Sequence, residues 1–379
     1  FLAMKAGRTM EGAQAASSHT GGLAKEDLAT DLIFRKAGVL TFTDEGELCQ
    51  AAGVLATQPV PAGNRVGIIT NTGGPAVIAT DILVDAGLTL PPLSEKTKAL
   101  LKETLYPEAT VSNPVDVLAT GTAEHFGRCL EAMMADDSFD CVLVNFVTPF
   151  FMDTENIAMA IAQVNEKQIK PMVCNLRPDR RQWAETEAIL KPSGVPCFAL
   201  PSDAARALVA LVRYRNILDR EPGRVRSYID VDTASARKIV DRANGQSMLA
   251  ADQVYEILEA YGIDVPEWRM AGDVDLAVAA ADAIGYPVVL KADATSVIHK
   301  SDMGGVAVNL TDADAVKQAA KTMTERIDAR DLRFFVQQFV PGGREVIIGA
   351  KAEPGVGHLI MFGLGGIFVD VLKLSLIHI

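Results

Sequence analysis

Between residues 60 and 220 the chain repeats one pattern, a short run that is apolar along its whole length followed by a helical stretch. Arg65-Val66-Gly67-Ile68-Ile69-Thr70, Cys141-Val142-Leu143-Val144-Asn145-Phe146, Pro171 to Asn175 and Cys197 to Leu200 are the strand-like runs. Pro75 to Ala86, Asp153 to Glu166, Arg180 to Leu190 and a segment capped by Ser202 are the helices. A strand apolar on both faces cannot sit in a sheet with one wet face. Joined by helices, such strands form a parallel sheet covered on both sides. The expected class is α/β, with a flavodoxin-like doubly wound parallel sheet.

The flanks read differently. Residues 1–57 give a strand at Phe1 to Met4, a loop holding His19, and a helix from Asp27 to Ala37. A strand at Val39 to Phe42 and a helix opening at Thr43-Asp44-Glu45 follow. This is the expected C-terminal part of a second α/β domain. Residues 221–233, entered through Asp219-Arg220-Glu221-Pro222-Gly223-Arg224, are linker-like. Residues 234–373 carry helices ending at Gly262 and Gly285 and strands at Pro287 to Ala292, Val306 to Leu310, Phe334 to Gln338 and Glu345 to Lys351. A helix at Asp312 to Arg326 lies among them, and a hairpin is expected at Phe362-Gly363-Leu364-Gly365-Gly366. The pattern is α+β with an antiparallel component. Residues 374–379 resemble a translated sequencing adapter and are expected to be a non-native tail. A chain of 379 residues has room for two or three such domains.

A net charge of −12 with no dense Lys/Arg stripe excludes a nucleic-acid footprint and affinity for anionic lipid. The five cysteines show no C-x-x-C spacing and form no metal-ligand pattern with the five histidines. They read as small hydrophobes in a reducing compartment. No signal peptide and no apolar run of about 18 residues is present, so a cytoplasmic protein without membrane spans is expected.

Two histidines lie close to glycine pairs, His19 in Ser18-His19-Thr20-Gly21-Gly22 and His299 in His299-Lys300-Ser301-Asp302-Met303-Gly304-Gly305. Neutral imidazole is a nucleophile near neutral pH, and a phosphoryl group on it needs backbone donors and helix N-termini to hold its charge. Gly73 and Gly74 in Asn71-Thr72-Gly73-Gly74-Pro75 open a helix and could supply such an N-terminus, as could the loop at Thr148-Pro149. Lys291 closes an apolar strand and needs an anion partner, with Gly304 and Gly305 able to fold over phosphates. In Gln338-Phe339-Val340-Pro341-Gly342-Gly343-Arg344-Glu345 a strand runs out, offers backbone to an adenine edge, turns at the glycines and returns with a carboxylate for ribose hydroxyls. Each feature also has a plain reading: a hydrogen-bonded loop histidine, a lysine reaching out at a sheet edge, an ordinary hairpin.

Taken in order, these motifs resemble the NDP-forming acyl-CoA synthetases, the family of ADP-forming acetate–CoA ligase and succinyl-CoA synthetase, over residues 1–373. Lys5-Ala6-Gly7-Arg8 with Ser18-His19-Thr20-Gly21 resembles the phosphohistidine segment, and His299-Lys300-Ser301-Asp302 with Gly304-Gly305-Val306 the loop of the ATP-grasp domain. Asn113-Pro114-Val115-Asp116 resembles a turn of the ligase domain and is given no chemical role.

The resemblance implies that His19 is phosphorylated and that His299 shuttles the phosphoryl group. It puts Lys291, Gly304 and Gly305 on nucleotide phosphates, Gln338, Phe339 and Val340 on adenine, and Glu345 on ribose. The implied reaction interconverts acyl-CoA, ADP and phosphate with carboxylic acid, CoA and ATP. ATP/ADP, Mg2+ and coenzyme A are the implied cofactors and substrates, with a homo-oligomeric full-length protein. The family's CoA-binding Rossmann domain, the glutamate that pairs with the phosphohistidine and the magnesium ligands fall outside the matching stretch, so this chain alone is expected to be inactive. Asp370 stands where Glu is usual, and Lys25-Glu26 where a small residue is usual. Two rival readings are a ligand-sensing module of a protein lysine acetyltransferase, which need not keep the nucleophile, and an ATP-grasp carboxylate–amine ligase without a phosphoenzyme. The intact His19 loop argues against the first and the ligase-like block before residue 220 against the second.

Overall fold

The computed structural model describes residues 1–12, 14–15, 27–148, 153–177, 180–224, 226–243, 245, 248–294, 304–353 and 357–365. One compact unit is built on Phe1–Pro222 and another on Gly223–Ile347.

In the first unit a short strand β1 (Leu2–Met4) pairs in parallel with β2 (Leu40–Phe42), and the helix α1 (Asp27–Lys36) connects them. The helix α2 (Glu45–Thr57) starts where Asp44 accepts a hydrogen bond from the Glu47 N–H, satisfying one of the free donors of the first turn.

The centre of the unit is a six-stranded sheet of β3 (Val66–Thr70), β4 (Thr110–Val111), β5 (Val115–Asp116), β6 (Cys141–Val147), β7 (Met172–Arg177) and β8 (Cys197–Phe198). Their spatial order is β4-β5-β3-β6-β7-β8, all parallel except the antiparallel edge strand β4. Without that edge the order is second, first, third, fourth, fifth, the flavodoxin-like order expected of the fold class.

Among the described residues, seven helices cover the sheet. One face packs α4 (Glu95–Thr104), α5 (Ala123–Ala135), α6 (Thr154–Asn165) and α7 (Arg180–Leu190) around Phe126, Met133, Phe146 and Ile161. The other packs α2, α3 (Gly73–Asp85) and α8 (Pro201–Leu218) around Val66, Ile68, Leu143 and Leu208. Each fully buried side chain of this size contributes about 1.5–3 kcal/mol. The alternation along β3, with Ile68 on one face and Ile69 on the other, is the physical content of the continuous apolar run. Gly67 interrupts it because a Cβ there would stand 2.5 Å from Met133 Cε. The sequence-based boundary at residue 57 falls at the end of α2, whose Val54 lies in the same apolar cluster as Val66 and Leu143.

In the second unit, α9 (Thr233–Arg242) and α10 (Ala251–Ala260) precede an antiparallel sheet of order β11-β10-β12-β9. Its strands are β9 (Trp268–Ala271), β10 (Val288–Asp293), β11 (Val306–Leu310) and β12 (Arg333–Gln338). The helices α11 (Val274–Ile284) and α12 (Ala313–Arg326) cover it through Ala277, Ala281, Val316 and Ala320.

Three expectations are corrected. The chain does turn at Gly342 and Gly343, both at positive φ (72° and 97°), but β13 (Val346–Glu353) does not return to pair with β12. It pairs with β14 (Gly357–Leu364) in a separate two-stranded sheet. Phe362-Gly363-Leu364 is therefore part of a strand, not a hairpin turn, because Ile360, Phe362 and Leu364 alternate along one face. Lys291 lies inside β10 rather than at its end, since the strand continues to Asp293. Among the described residues no helix is long and apolar enough to cross a membrane.

Candidate functional site

In a doubly wound sheet, ligands bind beyond the carboxyl ends of the strands where the strand order reverses. Here that point lies between β3 and β6. Asn71, the first residue past β3, spans it: its Nδ2 donates to the Val147 carbonyl at 2.7 Å and its Oδ1 accepts from the Val147 N–H at 2.9 Å. The Thr70 hydroxyl donates to the Thr72 carbonyl at 2.5 Å and accepts from the Thr72 N–H at 3.1 Å, which sets the turn into α3.

That turn delivers an open helix N-terminus. Thr72 is extended (φ −160°, ψ 139°) and its side chain makes no capping bond, and the first turn carries no acidic residue. Gly73 and Gly74 are exposed, and a Cβ at either meets nothing within 4 Å. The first N–H groups of α3 therefore face open space with the positive end of the helix dipole behind them, the arrangement that holds a phosphate.

Beneath it runs a polar row that sequence reasoning missed. The register sets Asp116, Thr70, Asn145 and Asn175 side by side across β5, β3, β6 and β7. Asn145 and Asn175 are fully buried; both amide atoms of Asn145 and the Oδ1 of Asn175 have no partner among the described residues. Only the pairing register, not any local spacing, brings these residues together. Thr148, at the end of β6, donates its hydroxyl to Gln182 Oε1 of α7 at 2.9 Å. On the other side of β3 the loop after β5 holds Leu118 at φ 69°, with its N–H donated to Asp116 Oδ1. A non-glycine residue in that conformation costs of order 1–3 kcal/mol and is most often kept near a site. Asn113 is structural: its side chain accepts from the Ile68 N–H and donates to the carbonyls of Val66 and Pro91.

The second unit gathers the other candidates. Lys291 Nζ donates to Gln337 Oε1 at 2.7 Å and lies 5.9 Å from the Phe335 ring centroid. Tyr255 donates to the same oxygen at 3.0 Å; burial pushes its hydroxyl up in pKa, so it stays a donor. Trp268 stacks on Phe335 with 5.4 Å between centroids, which gives the lysine an aromatic floor. Gly305 accepts from the Ala292 N–H at 2.7 Å, and Gly304 takes φ 68°, a left-handed conformation that favours glycine. The N–H groups of Gln338 and Phe339 are bonded to the carbonyls of Glu267 and Pro287. Val340 and Glu345 are exposed.

His19, His299 and Pro149 lie outside the described residues. Among the described residues no three His, Cys, Asp or Glu side chains converge as a metal site, so none is assigned to magnesium.

Residues 241–378 match the model of the ATP-grasp domain and residues 1–55 that of the succinyl-CoA ligase like flavodoxin domain. The chain is 33% identical to 4-hydroxybutyrate–CoA ligase (ADP-forming) of Nitrosopumilus maritimus, over 98% of this chain and 54% of that protein. It is 37% identical to acetate–CoA ligase (ADP-forming) I of Archaeoglobus fulgidus, again over 98% and 54%. The chain thus spans about half the length of these curated relatives. A solved structure of the dinucleotide-forming acetyl-coenzyme A synthetase 1 of Candidatus Korarchaeum cryptofilum with phosphate and ADP superposes with a TM-score of 0.54 at 25% identity. The match covers 57% of this chain and 47% of that one. With both domain models matched and ADP-forming acid–CoA ligases aligned along nearly its whole length, the chain belongs to the NDP-forming acyl-CoA synthetase family.

Proposed function

We propose that the protein carries the phosphoryl-transfer machinery of an acid–CoA ligase that interconverts acyl-CoA, ADP and phosphate with carboxylic acid, CoA and ATP. The observation that carries this reading is the uncapped N-terminus of α3, opened by Gly73 and Gly74 at the switch point between β3 and β6. In the proposed cycle a phosphate oxygen attacks the thioester carbonyl and expels CoA as its thiol. A nitrogen of His19 then attacks the phosphorus of the acyl phosphate, releasing the carboxylate. A nitrogen of His299 next attacks that phosphorus and frees His19, and the terminal phosphate oxygen of ADP finally attacks phospho-His299, giving ATP and free His299. The backbone N–H groups of Gly73 and Gly74 hold the phosphate in the first two steps, and Thr148 borders the same edge. The chemistry asks for positioning and charge neutralisation, which open helix ends and lysines supply.

At the nucleotide, Lys291 leaves Gln337 for the phosphates and the Gly304-Gly305 turn lies over them. Because the N–H groups of Gln338 and Phe339 are already used, adenine is left the Gln338 carbonyl and the Val340 N–H, two groups that point the same way along an extended segment. Phe339 lies between them, and Glu345 takes the ribose. His299 carries the phosphoryl group between the two sites. In domain terms, 1–57 and 60–220 are ligase domains, 221–233 a linker and 234–373 the ATP-grasp part. ATP/ADP, magnesium and CoA are the small molecules used, in a homo-oligomeric cytoplasmic enzyme.

Radiolabelled acetyl phosphate tests the reading. The protein should acquire acid-labile, base-stable label, and His19→Ala should acquire none. Equal labelling of the variant would remove His19 from the cycle. For the shuttle, His299→Asn should take up label but fail to discharge it to ADP; rapid discharge would rule out that role.

A further inference from the structure

We propose that Cys174 and Cys197 form a redox-active thiol pair that closes to an intrachain disulfide across β7 and β8. The pair plays no part in the transfer cycle. Its sulfurs belong to two neighbouring parallel strands whose register sets Cys174 directly opposite Cys197. Adjacent strands run about 4.8 Å apart, inside the range of about 4.4–6.8 Å between the Cα atoms of a disulfide. Both side chains lie on the face covered by α5, α6 and α7, where Cys197 packs against the cluster that contains Cys174. The backbone is held in this register on either side: the Cys174 N–H donates to the Pro196 carbonyl at 2.9 Å and Asn175 Nδ2 to the Phe198 carbonyl at 3.0 Å. β8 is a two-residue edge strand, so the adjustment that brings the sulfurs to bonding distance falls on the least constrained strand of the sheet.

The two thiols differ in access. Cys174 is fully buried, while Cys197 is partly exposed. The hydrogen bond to Cys197, together with burial, pushes the Cys174 thiol well above the ordinary thiol range. Cys197 is therefore the sulfur that meets a reagent first. With the diazene diamide as oxidant, the Cys197 thiolate adds to the N=N bond and a proton goes to the other nitrogen. The Cys174 sulfur then attacks Cys197 Sγ, the S–N bond breaks, and the second proton leaves with the hydrazine. Two thiols lose two electrons and the diazene gains them. The closed loop runs from residue 174 to 197 and contains α7, whose Gln182 is the partner of Thr148, so oxidation braces the wall beside the switch point.

The test treats the folded protein with diamide, alkylates with iodoacetamide and maps the peptides. The expected result is one peptide pair joined through Cys174 and Cys197, a mass loss of about 2 Da for the two hydrogens removed, and a higher melting temperature. Alkylation of Cys197 should fall to background and return after dithiothreitol. Cys197→Ser and Cys197→Ala, checked for native circular dichroism, should lose the link and the melting shift; Cys49→Ser, at the exposed cysteine, should keep both. Oxidation confined to dimers through Cys49, or an unchanged Cys197 alkylation after diamide, overturns the proposal.

Discussion

Asn71 completes β3 with its side chain, taking up both backbone groups of Val147 at 2.7 and 2.9 Å. The strand itself ends one residue earlier, so this amide is what holds the mouth of the crevice together where the strand order reverses. Asn71 is nearly fully buried. Asn71→Ala would leave a partly buried donor and acceptor of Val147 unpaired, at a cost of roughly 1–3 kcal/mol. The expected outcome is a lower midpoint in urea denaturation, with a larger fractional loss of phosphate labelling than of folded protein at any denaturant concentration. Asn71→Asp keeps the bond from the Val147 N–H and should fall between the two.

Gly73 separates stability from function. A Cβ at this position meets nothing within 4 Å, and the residue already lies in α3. Alanine is the better helix former by about 1 kcal/mol. Gly73→Ala should therefore melt at or above the wild-type temperature. If the helix end holds phosphate through bare backbone, the methyl group stands where the anion approaches, and labelling by acetyl phosphate should drop. Calorimetry and labelling on the same preparation decide it; unchanged labelling would show that the anion sits elsewhere.

How far the sequence carries can be seen at this crevice. β3, β6 and β7 announce themselves as apolar runs, because burial on both faces leaves few polar positions, chiefly toward their carboxyl ends. β5 does not: two residues, Val115 and Asp116, have no periodicity to read, and Asn113-Pro114 before them looks like a turn. Without β5 the strand order, and so the switch point, stays hidden. The row of Thr70, Asn145 and Asn175 depends on pairing between distant strands. At the other end of the chain, Gly363 and Gly365 suggested a hairpin where Phe362 and Leu364 continue a strand. Glycine density marks turns only when the flanking apolar residues stop alternating.

Acid should weaken the first unit in a definite window. Burial raises the Asp140 carboxyl, but Arg65 more than offsets it through bonds of 2.9 and 2.7 Å and holds it below the usual carboxylate range. Burial likewise raises Asp136, and the N–H groups of Ser138 and Ser94 bring it well below that range. An unfolded Asp titrates near about 3.9. Both acids therefore stabilise the fold fully above about pH 5, and that contribution is lost as pH falls through their folded values. The expected result is a melting temperature flat from neutral pH down to about 5 and dropping below it, with a shallower drop in Asp140→Asn. Parallel curves for the two proteins would remove the Arg65–Asp140 pair from the account.

Lys291 and Gln337 make the last case, because the two can be told apart by what they lose. Lys291 is held at 2.7 Å by Gln337 Oε1, which Tyr255 also engages at 3.0 Å. If Lys291 contacts nucleotide phosphates, Lys291→Ala should weaken ADP binding by about 1.5–3 kcal/mol, the range for hydrogen bonds to charged groups. Gln337→Leu keeps the positive charge but removes its anchor, so its loss should be smaller and should appear with AMP less than with ADP, since only the added phosphate draws on the lysine. Tyr255→Phe takes away the second donor to Gln337 and should have the least effect. Calorimetric titrations of the three variants with both nucleotides give the ranking. An ADP affinity unchanged in Lys291→Ala would leave the lysine a packing residue on Phe335, and equal losses for AMP and ADP in Gln337→Leu would mean that the glutamine shapes the base pocket instead.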